Sequence, residues 1–292
     1  MHIHQIRLPS VQLSVSTHGR GLPLLLLHAF PLDHSMWAAQ GPLADHLQLI
    51  VPDQRGFGGS AQLRAILNPA SELFVAAPVV KSIAQLADDA VALLDALAIS
   101  QPAVVCGISM GGYVAQHIAV RHPHRVRSLI LVDTKLEADT PQVQAARSDL
   151  AAKVSRLGVG ILAEAMIPRL LAAPVHAASD PHHLQISAAL RRMIVAQPVA
   201  TIVAALDALG ARPDMVAAMR SVRVPTLLIG GEKDAITPPE CLERAQSVIE
   251  KSRLLIVPNA GHMVPMEAPK RFNAAVLAFL RQTGGLTSEA KK

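Results

Sequence analysis

Short apolar runs alternate with longer amphipathic stretches along most of the chain. Residues 3–8 and 11–16 alternate between apolar and polar side chains, which predicts two strands at a sheet edge. Later runs are apolar throughout, as expected of strands that are buried on both faces. These runs are LPLLLL, LQLIVPD, PAVVCGI, VRSLILVD, VPTLLIGGEKD and SRLLIVPNAGH. The pattern therefore predicts a sheet of about eight strands.

Between the strand-like runs, apolar residues recur at helical spacing. The stretch SIAQLADDAVALLDALAI is predicted to form a helix that begins at Ser82, and MGGYVAQHIAVRHP forms another. We also expect a helix in DHSMWAAQGPLADHL, capped by Asp33, with Gly41-Pro42 as a potential break. Strands that alternate with helices predict an α/β fold, with a mostly parallel central sheet and helices on both faces.

The stretch from Thr134 to about Arg220 differs from the rest, because it is helical in pattern, rich in alanine and interrupted by prolines. We interpret residues 135–220 as an inserted helical cap. Residues 1–134 and 221–284 would then form the core domain. The remaining residues, 285–292, are predicted to be a disordered tail.

Composition narrows the classes of function. A content of 51% apolar and 17% charged residues indicates a globular chain. The net charge of +5 is small and its cations are scattered, and aromatic residues make up only 2%, which argues against a nucleic-acid partner. Neither a secretory leader nor a run long enough to span a bilayer is seen near the N-terminus, so we expect a cytoplasmic protein without a membrane partner.

The sequence GISMGG, residues 107–112, is the strongest chemical signal in the chain. It matches G-x-S-x-G and lies between a predicted strand and a predicted helix, where a nucleophilic serine is held on a sharp turn. Ser109 is the candidate nucleophile. Gly107 and Gly111 would keep side chains away from the turn, and the helix N-terminus favours developing negative charge. A glycine-rich turn without chemistry is the alternative.

A serine hydroxyl needs a base to become a good nucleophile, and the base needs an orienting acid. His262 follows the last predicted strand and is the candidate base. Asp234 follows the strand before it and is the candidate acid. Asp133, at the end of VRSLILVD, remains a rival acid, and Glu232 is a weaker one.

The tetrahedral intermediate also needs donors for its oxyanion. We expect one from the backbone N–H of Met110, directly after Ser109. The second is expected from Phe30, in the loop that follows LPLLLL.

Taken together, LLLHAFPLDHSMW, VPDQRGFGGS, GISMGGYVAQHIAVRHPHRVRSLILVDT, VPTLLIGGEKDAITPP and PNAGHMVPMEAPKRFNAAVLAFL resemble the α/β-hydrolase superfamily. The nearest branch is that of small capped esterases and enol-lactone hydrolases. The resemblance implies a triad of Ser109, His262 and Asp234, an oxyanion hole from Phe30 and Met110, and no cofactor. Two features depart from it: Ala29 replaces the usual glycine, and residues 61–81 form a long stretch that is expected to contribute to a pocket wall.

These observations predict a carboxylic ester hydrolase that acts on a small-molecule ester or lactone and uses no metal. Hydrolysis of a small acidic lactone is an alternative, for which Arg169, Arg191 and Arg192 in the cap are candidate carboxylate ligands. Cleavage of C–C bonds or thioesters and perhydrolysis use the same triad and stay open. A ligand-binding receptor with little turnover is the alternative from a different class. The oligomeric state is not predicted.

Overall fold

The computed structural model describes residues 2–61, 79–172 and 180–286. Within them, eight strands form one sheet in the order β1-β2-β4-β3-β5-β6-β7-β8. The strands are β1 (His2–Arg7), β2 (Gln12–His18), β3 (Leu22–Leu27), β4 (Leu47–Pro52), β5 (Ala103–Ile108), β6 (Val126–Val132), β7 (Thr226–Gly231) and β8 (Ser252–Val257). Strand β2 is antiparallel to β1 and β4, and all other neighbours are parallel. The predicted fold class is confirmed.

Helices follow most of the parallel strands and cover the sheet. They are α1 (Ile83–Ala96), α2 (Met110–Arg121), α3 (Pro141–Leu157), α4 (Gly160–Leu170), α5 (Pro181–Val195), α6 (Val199–Gly210), α7 (Val216–Met219), α8 (Pro239–Val248), α9 (Val264–Glu267) and α10 (Pro269–Gln282). Ser82 caps α1 as predicted, because its hydroxyl accepts the N–H of Gln85 at 3.1 Å. Parallel strands place all their carboxyl ends at one edge of the sheet, where a ligand site is expected.

One predicted helix has a different form. The segment after Asp33 is a 3-10 helix over His34–Asp45 that continues through Pro42. Asp33 caps it by accepting the N–H of Ser35 at 2.9 Å, as predicted. A 3-10 helix has three residues per turn, and Pro42 has no backbone N–H to donate. Both features differ from those of the regular helix that was predicted.

The middle of the sheet forms the core. Leu24, Leu25, Leu26 and Leu27 of β3 have no exposed surface, and the central strands β5 and β6 are almost entirely buried. Each such side chain contributes roughly 1.5–3 kcal/mol on burial. A core with few aromatic residues is therefore built from branched aliphatic ones.

Helices α3 to α7 lie between β6 and β7, within residues 135–220, and we call this stretch the cap. Helix α3 packs against α6, and α4 packs against α5. The cap is joined to the core by side chains as well as by its two chain connections. Gln197 accepts the N–H of Gly58 at 2.9 Å, and Thr201 donates to the carbonyl of Gly56 at 2.8 Å. The boundaries of core domain and cap at residues 134 and 221 remain predictions.

Parts of two sequence predictions fall outside the described residues. The long stretch 61–81 is described only at residues 61 and 79–81, and the predicted tail 285–292 only at its first two residues. Gly285 and Leu286 both donate backbone N–H groups to the carbonyl of Leu280, at 2.7 and 3.2 Å.

Among the helices that the structure describes, no single one is long and apolar enough to cross a bilayer. Helices α5 and α6 together, bent by 98°, have sufficient length and apolar composition, and nothing more than length and composition supports a span there.

Candidate active site

Ser109 occupies a strained turn between β5 and α2. Its backbone has φ 51° and ψ −113°, outside the regions that a residue with a side chain ordinarily adopts. Such a conformation costs on the order of 1–3 kcal/mol and persists only where its surroundings enforce it. Here the N–H of Ser109 donates to Val132 of the neighbouring strand at 2.9 Å, and its carbonyl accepts from Tyr113 and Thr134 at 3.1 Å each. The turn thus presents a half-buried hydroxyl at the carboxyl edge of the sheet.

Two glycines make this turn possible by close approach. A Cβ atom at Gly107 would lie 2.0 Å from the carbonyl oxygen of Gly111. One at Gly111 would lie 2.2 Å from the carbonyl oxygen of Leu27, at the end of β3. The first turn of α2 therefore packs directly on the strand end from which the Phe30 loop departs.

His262 and Asp234 form a buried hydrogen-bonded pair beyond β8 and β7. The distance between Nδ1 of His262 and Oδ2 of Asp234 is 2.8 Å, and the side chains are 2% and 0% exposed. At so short a distance from a carboxylate, Nδ1 carries the proton, which leaves Nε2 to accept one. A general base and its orienting acid require this location of the proton.

The surroundings of Asp234 keep it ionised. Its Oδ1 accepts backbone N–H groups from Ile236 at 2.7 Å and Thr237 at 2.9 Å, and its Oδ2 accepts the Thr237 hydroxyl at 2.8 Å. Burial alone would raise the pKa of Asp234, but His262 and these donors outweigh it and hold the pKa below its usual value.

Sequence reasoning missed Thr237, whose hydroxyl also lies 3.3 Å from Nδ1 of His262. The signal was present in the spacing. An aspartate whose side chain accepts backbone N–H groups two and three residues later forms a local turn, and a threonine at the second of these positions can add its hydroxyl.

The rival acids have other partners. Asp133 accepts the backbone N–H of Gly231 at 2.9 Å and that of Val264 at 3.3 Å, and so ties β7 to the His262 loop. Burial and the nearby charge of Asp234 raise the pKa of Asp133 well above its usual value. Glu232 accepts the backbone N–H of Asn259 at 3.0 Å. Asp234 is the acid that contacts His262.

The loop after β3 holds Phe30, the predicted second oxyanion donor. Within the described residues, no acceptor lies in hydrogen-bond geometry to the Phe30 N–H, and the N–H of Met110 begins helix α2 and has no acceptor inside it. Ala29 does not belong to the described non-glycine residues with positive φ. Its replacement of the usual glycine therefore adds no left-handed strain.

His28 supports the same loop from below. Its Nε2 accepts the backbone N–H of Gln54 and its Nδ1 donates to the carbonyl of Ala29, both at 3.0 Å. Burial lowers the pKa of His28, so the ring stays neutral and keeps both bonds. These two bonds give His28 a structural role in this loop.

The His262 loop is fastened to the cap by Glu267. The Glu267 carboxylate accepts backbone N–H groups from Gly261 at 3.0 Å, Met263 at 3.1 Å and Ala172, at the end of α4, at 2.8 Å. The N–H of His262 itself donates to the carbonyl of Leu170 in α4 at 2.9 Å. The candidate base therefore depends on both the sheet and the cap for its position.

A cavity of about 510 Å³ lies between helices α3, α4 and α6 of the cap and core residues that include Phe30, Tyr113 and Thr237. Phe30 and Thr237 are neighbours of the candidate site, but Ser109 and His262 do not line this cavity. Arg169, one of the three predicted carboxylate ligands, lines this cavity. Arg191 instead pairs with Glu164, and Arg192 is exposed on α5.

Among the described residues, one cluster has donor atoms close enough to hold a metal ion. These are Asp33, His34 and Asp53, whose candidate ligand atoms lie within 4.8 Å of one another. Asp53 already accepts from the backbone and ring of His34, both at 2.7 Å, and Asp33 accepts from Ser35. These hydrogen bonds hold the first residues of the 3-10 helix in place.

Known proteins share this architecture. Residues 23–269 match the family model described as the alpha/beta hydrolase fold. A pimeloyl-(acyl-carrier protein) methyl ester esterase of Nitrosospira multiformis is 27% identical, covering 93% of this chain and 99% of that protein. The 3-oxoadipate enol-lactonase 2 of Acinetobacter baylyi is 28% identical, covering 93% and 94%.

A solved structure is similar in both sequence and shape. The thermophilic esterase of Thermogutta terrifontis, determined with malate bound, is 35% identical and covers 97% of this chain and 99% of its own, with a TM-score of 0.86. The match of a family model to most of the chain, together with the eight-stranded sheet, confirms the predicted resemblance: the chain belongs to the α/β-hydrolase fold family.

Proposed function

We propose that this protein is a serine hydrolase that cleaves carboxylic esters through Ser109, His262 and Asp234. The observation that carries the proposal is the buried 2.8 Å pair of His262 and Asp234 beyond the same sheet edge that presents Ser109 on a strained turn. A nucleophile, a base and an acid that follow three strands of one parallel sheet are the set that acyl transfer requires. Relatives named as esterases and an enol-lactonase support it.

The reaction proceeds in two halves. In the first, Nε2 of His262 takes the proton of the Ser109 hydroxyl while Oγ attacks the ester carbonyl carbon and the C=O electron pair moves to oxygen. The tetrahedral intermediate collapses, and the leaving alcohol takes the proton from His262. In the second, His262 takes a proton from water, whose oxygen attacks the acyl-serine, and the proton returns to Ser109 as the acid leaves.

Charge stabilisation comes from fixed groups. The N–H groups of Phe30 and Met110 donate to the oxyanion, and each such donor is worth roughly 3 kcal/mol of barrier on mutational precedent. Asp234 stays ionised, holds the tautomer of His262 and stabilises the imidazolium that forms twice per turnover. Thr237 restrains both partners.

Lactone hydrolysis is the second candidate, because a lactone is an internal ester that the same steps open. The position of Arg169 on the cavity wall favours it, since an acidic lactone needs a cation there. We keep a cytoplasmic location, a small-molecule substrate and the absence of nucleic-acid and membrane partners as predictions of this proposal.

The test is hydrolysis of p-nitrophenyl esters from acetate to octanoate by the wild type and by Ser109→Ala. We expect turnover that the variant loses, together with labelling of the wild type alone by a fluorophosphonate probe. Turnover that persists in folded Ser109→Ala would overturn the serine mechanism. Labelling without turnover of any ester would point to a specialised substrate, and neither labelling nor turnover would favour a binding protein.

A further inference from the structure

We propose that Gln54 is a positioning residue of the oxyanion hole, which holds the Phe30 N–H in place through His28. The inference rests on the proposed function and adds to it a residue that acts through the backbone of the loop after β3. It is carried by two hydrogen bonds between Gln54 and His28 and by one between His28 and Ala29.

The first connection runs through the ring of His28. The backbone N–H of Gln54 donates to Nε2 of this ring, and Nδ1 of the ring donates to the carbonyl oxygen of Ala29, both at 3.0 Å. The Ala29 carbonyl and the Phe30 N–H belong to one peptide group, which is trans and planar, so they point in opposite directions. A ring that fixes the carbonyl oxygen therefore also sets the direction of the N–H that is expected to meet the oxyanion.

The second connection is made by the side chain of Gln54. Its Nε2 donates to the carbonyl oxygen of His28 at 2.9 Å. Within the ranges that the structure describes, no backbone N–H donates to this oxygen. The N–H of the same peptide group, that of Ala29, donates to Sδ of Met36 at 3.4 Å. Because sulfur is a weak acceptor, the Gln54 amide supplies the stronger of the two bonds that hold this peptide group.

The His28 carbonyl also lies close to the other oxyanion donor. A Cβ atom at Gly111 would be 2.9 Å from this oxygen, and Gly111 directly follows Met110. A displacement of the His28 peptide group would therefore move the Phe30 N–H relative to that of Met110. Both donors have to meet one oxygen atom, so a small shift is expected to weaken the stabilisation of the oxyanion.

Phe57, which follows β4 as Gln54 does, supports the same loop. It is fully buried, and its ring meets those of His28 and Phe30 edge-on, with 5.2 and 6.5 Å between ring centroids. Asp53 accepts from the backbone and the ring of His34, further along the loop after β3. The chain after β4 therefore contacts the loop after β3 at its beginning, middle and end.

A buried glutamine that only fills space is the alternative. Among the described residues, Oε1 of Gln54 is buried and has no hydrogen-bond partner, an arrangement that lowers stability. Methionine has a similar length and would fill the space without a buried acceptor. The two interpretations differ in kinetics, because loss of a packing residue changes stability, whereas loss of a positioning residue lowers kcat with little change in KM.

The experiment measures kcat and KM on p-nitrophenyl butyrate for Gln54→Met and Gln54→Glu, with urea unfolding as the measure of stability. Both variants keep the backbone N–H that binds the His28 ring. The matched control is Gln116→Met. Gln116 is similarly buried, donates from Nε2 to the carbonyl of Lys135 at 2.9 Å, and has an Oε1 without a partner among the described residues. Its carbonyl partner lies outside the loop after β3.

We expect Gln54→Met to lower kcat by about 10- to 100-fold with less than about a twofold change in KM, since loss of a whole donor costs about 10²- to 10³-fold. A trifluoromethyl ketone with a propyl chain adds Oγ of Ser109 to its carbonyl and forms an oxyanion, with the proton on His262. Its affinity should fall by about the same factor as kcat. Gln116→Met should leave kcat and this affinity at the wild-type values even where it lowers stability.

Gln54→Glu adds a readout that a packing role would not move. A protonated glutamic acid can donate to the His28 carbonyl, whereas a carboxylate can only accept, and burial raises the pKa of such a group. The ratio of kcat for this variant to kcat for the wild type should therefore rise as the pH falls from about 8 to about 6. Asp53, His34 and His262 titrate in both proteins, so their effects largely cancel in the ratio.

An unchanged kcat in folded Gln54→Met, a loss that Gln116→Met shares, or a loss confined to KM would overturn the inference. If Gln54→Met does not fold, the Gln54→Glu ratio decides, and a ratio that stays flat or falls on acidification contradicts the inference. Wild-type turnover that depends on Ser109, with unchanged kcat in Gln54→Met, overturns this inference alone. Wild-type protein without Ser109-dependent turnover overturns the proposed function and this inference with it.

Discussion

Asp133 and Asp234 lie at the carboxyl ends of neighbouring strands, and their pKa values move in opposite directions. Burial alone would raise the pKa of Asp234, but His262 and the backbone N–H groups of Thr237 and Ile236 hold it below its usual value. Asp133 is raised well above its usual pKa by burial and by the charge of Asp234. Two carboxyl groups in one low-dielectric region do not both ionise readily. The environment thus assigns the negative charge to the residue that contacts the base.

Replacing each aspartate by asparagine tests this assignment. Asp234→Asn should lower kcat on p-nitrophenyl butyrate by on the order of 10³-fold, because an amide in place of Oδ2 no longer selects the Nδ1–H tautomer of His262. Asp133→Asn should cost less than about tenfold, since its partners are backbone N–H groups and the asparagine oxygen still accepts one.

Steady-state kinetics on both variants decides between the two acids, with circular dichroism as the check on folding. A loss in folded Asp133→Asn as large as that in Asp234→Asn would reject Asp234 as the only orienting acid. The comparison is matched, because both changes remove one carboxylate from the same edge of the sheet.

At the scale of single residues, the sequence predicts candidates whose chemistry needs a particular side chain. Ser109 follows from its motif, and His262 and Asp234 follow from their places after predicted strands. Thr237 was missed because a hydroxyl that supports a neighbour has no motif of its own. The consequence of Ala29 could not be predicted either, since it depends on a backbone angle that only the folded loop defines.

At the scale of elements, Glu267 links the loop that carries His262 to the cap. Its carboxylate joins the loop after β8 to the end of α4 through three backbone N–H groups. Burial raises the pKa of Glu267, and those donors oppose the rise only in part. The burial of this carboxylate is unfavourable, but without it each buried N–H group left without an acceptor would cost about 1–3 kcal/mol. We therefore infer that Glu267 positions the loop.

We therefore expect Glu267→Ala to lower the free energy of unfolding by about 3 kcal/mol or more and to reduce kcat by about 10- to 100-fold. Glu267→Gln should lie between it and the wild type, because one carbonyl oxygen can still accept from Gly261 and Met263. Urea unfolding and kinetics on a neutral ester measure both effects.

The matched control is Glu243→Ala, which removes an exposed glutamate from α8. It should change the free energy of unfolding by no more than about 0.5 kcal/mol and leave kcat at the wild-type value. If Glu267→Ala loses stability but keeps the wild-type kcat, the carboxylate is a structural clamp that does not position His262.

The elements themselves were largely predictable, because hydrophobic period and capping are local signals. The strands of the central sheet and the helix that begins at Ser82 follow from them. The 3-10 form of His34–Asp45 could not, because α and 3-10 helices share nearly the same apolar spacing. The order of the strands depends on contacts between residues far apart in the chain, so the local pattern did not predict it.

On the scale of the whole molecule, Asp139 joins the two ends of the cap, and its partner Arg212 reaches the core. It lies just before α3 and binds Arg147 of that helix, Arg212 after α6, and Lys135 after β6. Arg212 also lies 4.2 Å above the ring of Tyr113 in α2, the helix that follows Ser109. One buried carboxylate thus joins both ends of the cap to the helix that supports the candidate nucleophile.

Asp139→Asn should destabilise the protein by about 3 kcal/mol at pH 7, because it leaves the buried charge of Arg212 without its partner. Burial raises the pKa of Asp139, but the hydrogen bonds and charges of Arg212 and Arg147 outweigh it and hold the pKa far below the usual value of 3.8. A carboxyl group with a lowered pKa contributes its full stability above that usual value and loses it as the pH falls towards the folded-state pKa.

The difference in unfolding free energy between the wild type and Asp139→Asn should therefore be constant from about pH 7 to about pH 5 and shrink below about pH 4. Urea titrations at several pH values measure it, with Asp207→Asn on the exposed face of α6 as the control that should show little effect at any pH. A difference that grows on acidification would mean that Asp139 is not ionised in the folded protein. In that event three cations would surround a neutral group, and the cap would be held to the core by apolar packing and by hydrogen bonds such as those of Gln197 and Thr201.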